Sequence, residues 1–199
     1  MLKKLIERFR AVEKLPIEID EIRNAVLSLG VQDRVIFCAD AEMAVSRLRG
    51  VFYQYRQRSL PYGDPDNITL IVYPEKVPVA WQRVICCKEL IHLFDHQVER
   101  TDTVEELDGL IKRLLGPLSG DDLSIFDLMA AKDHLALYQA IPLLFPLAAR
   151  TRILSDIESG AKTLQQVADE ACLPLEVIIL GTSDEWPRLS EDLIGCSDA

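Results

Sequence analysis

The chain has 199 residues, of which 49% are hydrophobic and 27% charged, and its formal net charge is -10. Those proportions predict one globular domain that buries a sizeable core. The acidic balance argues against general affinity for phosphate backbones or anionic lipid, so nucleic acid is not an expected partner.

Residues 1–15 open with lysines, but Leu2, Leu5, Ile6, Phe9 and Val12 recur at helical spacing between charges. That pattern predicts an amphipathic helix and not a targeting signal. Pro16 ends it, and residues 17–29 read as a second helix capped by Gly30. Residues 35–38 (VIFC) have the look of a short buried strand. Residues 41–58 read as a third helix, with Phe52 and Tyr55 inward and Arg56 and Arg58 in solvent. Its interleaved Tyr and Arg would suit stacking on single-stranded nucleic acid, a use the acidic whole disfavours. A turn-rich loop at 61–67 (PYGDPDN) leads into the β-branched run 68–73, a predicted sheet strand.

Residues 81–100 (WQRVICCKELIHLFDHQVER) are strongly helical and hold two of the three histidines. Residues 101–115 predict an acidic amphipathic helix, with Thr103 and Glu106 as a capping box, and 116–122 (GPLSGDD) an internal break. Residues 123–140 are helical again until Pro142 and Pro146 bend or end the run. Residues 163–180 have a helix–turn–helix form with Leu173 and Pro174 at the turn. Between Lys162 and Arg188 those two basic residues face five acidic ones, so these helices are expected to pack and not to read DNA. The apolar stretch 136–149 is too short and too interrupted by proline to span a membrane. Five cysteines, an odd number without C-x-x-C spacing, suit a cytoplasmic location. Cys86 and Cys87 are expected as small core residues.

Chemistry centres on 81–100. Residues four apart share a helical face, so Lys88, His92 and His96 form a row with Glu89 beside it. A metallopeptidase helix has H-E-x-x-H, two imidazoles gripping Zn²⁺ and a Glu acting as general base. This chain reads Lys88, Glu89, Leu90, Ile91, His92.

The segment resembles the signature helix of the ImmA/IrrE-like metallopeptidases of bacteria and phage, through Arg83, Glu89, Leu90, His92, Leu93 and His96. The strand at 67–73, the run 135–146 (LALYQAIPLLFP) and the closing 164–180 (LQQVADEACLPLEVIIL) are also similar to that family. The resemblance implies an α+β fold: a mostly helical zincin-like domain with a small sheet beside the active-site helix. The resemblance spans roughly residues 67–180, and the chain is expected as one domain over 1–199, with N-terminal helices and a first strand in 1–66, the zincin-like core in 67–150 and a C-terminal helical part in 151–199. In such a fold the strand at 68–73 lies beside the helix and pairs with an extended peptide. The third ligand is expected near Asp133 or His134.

Lys88 stands where the first ligand would be, and an ammonium has no lone pair to give a metal. Its amine either neutralises Glu89, Asp133 or another inward carboxylate, or snorkels to solvent. The expected function is therefore a pseudopeptidase with a degenerate metal site and no cofactor: a regulatory protein that binds a protein or peptide, with Glu89 a vestigial base. The alternative is an active zinc metallopeptidase with a non-standard ligand set, Glu89 as base and His92 with His96 on the metal. A Cys86 or Cys87 nucleophile paired with His92 has the wrong helical spacing.

Overall fold

A computed structural model describes residues 1–43, 50–57, 66–94 and 125–195. In chain order these form α1 (Leu2–Phe9), α2 (Ile19–Ser28), β1 (Arg34–Asp40), β2 (Val51–Gln57), β3 (Asp66–Pro74), α3 (Val79–Ile91) and a 3₁₀ turn (His92–Phe94). They continue with α4 (Ile125–Leu144), α5 (Leu147–Glu158), α6 (Leu164–Ala171), α7 (Leu175–Thr182) and α8 (Trp186–Gly195). The class is thus mixed α and β, with helices dominating a small sheet.

The amphipathic N-terminus folds as its spacing predicts, burying Leu2, Leu5, Ile6 and Phe9. It stops at Phe9 and does not run to residue 15. The carbonyl of Arg10, which a longer helix would use internally, accepts instead from the Ala148 amide at 3.1 Å. α2 ends where Gly30 takes φ +105°, a left-handed conformation that costs a glycine little.

Three strands make one sheet in the order β1-β3-β2, with β1 parallel and β2 antiparallel to β3. Two expectations are corrected here. Within the run read as a third helix, residues 51–57 are strand β2. Their alternation is the reason: Phe52 packs against the core while Tyr53 and Tyr55 are 43% and 40% exposed, so Tyr55 is not inward. The strand at 68–73 is β3, and it is central. Both its edges are taken by β1 and β2, so its backbone has no free side for a peptide.

Pairing places Val35, Ile71 and Phe52 toward the helices, where all three join the core. Thr69 shares that face and is fully buried, and its hydroxyl donates to Asp33 at 2.6 Å. Gln54 also donates to Asp33, at 2.6 Å, so one carboxylate ties β2 and β3 to the lead-in of β1.

α3 lies between this sheet and α4, and also packs on α2. Its stretch from Val84 to Ile91 is buried all round, which the even hydrophobicity of VICCKELI permits. α4 continues past Pro142 to Leu144, so of the two prolines expected to bend or end the run it is not Pro142 that ends it. The proline sits in the last turn, where its missing N–H forfeits a single backbone bond. Pro146 then precedes α5 as its N-cap. α6 and α7 form the helix–turn–helix, opened by a capping box between Thr163 and Gln166 and turned at Cys172, φ 51°. Among the described residues no helix is long and apolar enough to cross a membrane. Arg58, most of the loop at 61–67, His96, the helix at 101–115 and the loop at 116–122 lie outside the described residues.

Candidate functional site

The helical row Lys88–His92 is carried on the buried end of α3, which faces α4. Lys88 and Glu89 are each 2% exposed and His92 is 8% exposed. The alkyl stem of Lys88 extends toward α4, and its ammonium contacts the carboxylate of Asp133. The same Nζ lies 2.8 Å from Oε1 of Glu89. His92 completes the group, with Nε2 3.5 Å from Oδ1 of Asp133. A snorkelling Lys88 is excluded by this geometry.

Oε1 of Glu89 is within charge contact of the ammonium, yet it accepts no well-directed hydrogen bond from it. Attraction between charges survives poor angles, whereas a hydrogen bond does not.

Electrostatics follow from burial and pairing. Burial alone would push the Lys88 amine down, but the charges of Glu89 and Asp133 outweigh it, and the ammonium is held above the usual lysine range. Burial likewise pushes Asp133 up. The hydrogen bond from His92 and the Lys88 charge overcome that, and the carboxyl is held well below the ordinary carboxylate range. Lys88 therefore stays an ammonium and Asp133 a carboxylate.

β2 closes the group from the sheet side. Gly50, just before it, lies against α3 so closely that a Cβ there would sit 2.8 Å from Cγ of Glu89 and 2.8 Å from Cγ2 of Ile85. Phe52 stacks on His92 with ring centroids 6.0 Å apart and planes inclined by 18°. Neither residue was singled out for the site from the sequence. A glycine at the head of an aromatic strand was the available signal, since such glycines mark close backbone approach.

Of the other candidates, His134 is exposed on α4, one residue from Asp133 but on another face. Cys86 and Cys87 are buried, as expected of core residues. Burial lifts the Cys86 thiol to about 12, and lifts Cys87 further, so neither is a ready nucleophile. Cys87 directs its Sγ to the carbonyl of Ala140, 3.9 Å away and across the interface with α4.

The residues do not fit a divalent cation. Lys88 holds its ammonium on the carboxylates that a metal site would use as ligand and base, and a second cation there would be repelled. Among the described residues no group of three His, Cys, Asp or Glu side chains is arranged to hold a metal ion.

No protein-family model matches this chain, and no curated protein or solved structure matches it. The likeness to the ImmA/IrrE-like metallopeptidases rests on the residues quoted for it.

Proposed function

We propose that this protein is a zincin-like pseudopeptidase of ImmA/IrrE type, in which a lysine ammonium has taken the place of the metal. The role that suits it is binding and regulation, with a protein or peptide as partner. The supporting observation is the seat of Lys88. Its amine is buried on Asp133, with Glu89 beside it and His92 reaching the same carboxylate, so the positions resembling a peptidase centre converge on a monovalent cation. A fixed ammonium satisfies these charges while offering no open coordination position and no activated water. With a chain charge of -10, a partner bearing basic residues would be favoured in encounter.

The test is zinc content by elemental analysis after zinc loading and desalting. Native protein is expected to retain none. Lys88→His is expected to retain about one equivalent, because the introduced imidazole, His92 and Asp133 then supply the three ligands a catalytic site needs. Stoichiometric zinc in native protein, lost in His92→Ala, would overturn the proposal in favour of a metallopeptidase with a shifted ligand set.

A further inference from the structure

The approach to the Lys88 centre is occupied by the chain itself. A peptidase helix must leave its ligand-bearing face open to water and substrate. Here the backbone at Gly50 lies directly on Glu89, leaving no room even for a methyl group. Two residues on, the Phe52 ring lies over His92. These contacts come from one short piece of chain and fall on two of the centre's four side chains.

We infer that the start of β2 is an autoinhibitory cover: it holds the place over Glu89 and His92 that a peptide would need, and a partner reaches the Lys88 centre only when this contact is released. The inference rests on the pseudopeptidase reading for its meaning, but its geometry is independent of it. Gly50 is then a positioning residue, required because any side chain would push the strand off α3 or displace the Glu89 carboxylate. The misaligned Glu89 Oε1 agrees with such crowding. Cγ and Oε1 of Glu89 are among the three atoms nearest to where a Gly50 side chain would stand.

The experiment is acetylation of lysine amines by N-hydroxysuccinimidyl acetate on the folded full chain, read by peptide mass spectrometry. Iodoacetamide on Cys87 serves in parallel as a probe of the core between α3 and α4. In native protein, Lys88 is expected to stay unmodified while exposed Lys3 and Lys4 react. Gly50→Ala should raise the Lys88 rate about tenfold or more, since local opening of the cover then exposes the amine. Cys87 should remain unreactive. Phe52→Ala, which lifts the ring from His92 without adding volume, is expected to do the same and serves if Gly50→Ala does not fold.

Lys88 reacting in native protein as fast as Lys3 overturns the inference. So does Lys88 staying equally protected in a folded variant, or Lys88 and Cys87 becoming reactive together, which marks general unfolding. The two proposals fail separately: zinc in native protein removes the pseudopeptidase reading and leaves the cover, whereas unchanged protection removes the cover and leaves that reading.

Discussion

A lysine amine only 2% exposed must have its charge answered inside the protein, and at Lys88 two carboxylates answer it. The arrangement is asymmetric in its energetics. Replacing the whole group by apolar residues can be neutral, but removing one partner leaves buried charge uncompensated. Lys88→Met is therefore expected to destabilise by about 3–5 kcal/mol in urea unfolding at neutral pH, because Glu89 and Asp133 then repel each other without a counter-charge. Adding Glu89→Gln to that variant should recover part of the loss. A Lys88→Met protein as stable as the native one would show that the ammonium contributes nothing. At this scale the sequence displayed one half of the group: Lys88, Glu89 and His92 follow from helical spacing. Asp133 is 45 positions from Lys88 along the chain. Only packing of α4 on α3 decides which residue of α4 faces the amine, and no local pattern records that.

Elements were legible where one face decided them. α1 and α2 show a plain apolar stripe, and α6 shows its start in Thr163 with Gln166 three residues later. There the Thr163 hydroxyl accepts from the Gln166 amide at 3.2 Å, and the Gln166 side chain accepts from the Thr163 amide at 2.8 Å. Thr163→Ala is expected to cost about 1 kcal/mol, measurable as a lowered urea midpoint with an unchanged slope. A null effect would mean that the α5–α6 connection holds the helix start without its cap. β2 was not legible in the same way. VFYQYRQ carries aromatic residues on both faces, Phe52 against the helices and Tyr53 and Tyr55 outward, so its hydrophobicity fits a helical reading as well as a strand. What settles it is β3, whose second edge needs a partner, and that is a tertiary fact. Arg150 is a similar case. It is 8% exposed, and its guanidinium donates from Nε to Gly181 O and from Nη2 to Ser183 O, each at 2.8 Å. It thus ties α5 to the C-terminal end of α7, where a cation meets the negative end of a helix dipole. Nothing in LAARTRILSDIE distinguishes that arginine from Arg152.

For the molecule as a whole, the buried group links folding to protons at both ends of the pH scale. Asp133 titrates lower in the folded protein than in the unfolded chain. Its contribution is present above the unfolded carboxylate value of about 4 and is lost as pH falls from there toward the lower folded value. Lys88 titrates higher in the folded protein. Its contribution is complete below the unfolded lysine value of about 10.4 and is lost as pH rises through the folded value. Between those limits neither Lys88 nor Asp133 changes protonation on unfolding, so neither of these two groups adds slope to stability near neutrality. Carboxylates elsewhere in the chain are also protonated in acid, and a native curve alone would mix them with the centre. The difference between native and Lys88→Met unfolding free energies cancels those shared terms. That difference is expected to be largest between about pH 7 and 9, to shrink toward acid as the variant's two uncompensated carboxylates take up protons, and to shrink again above about pH 10.5 as the lysine deprotonates. A difference that stays constant from pH 3 to 11 would mean that Lys88 acts by its packed stem alone. The centre's identity as a charge cluster would then be lost, because burial of four methylenes is indifferent to pH.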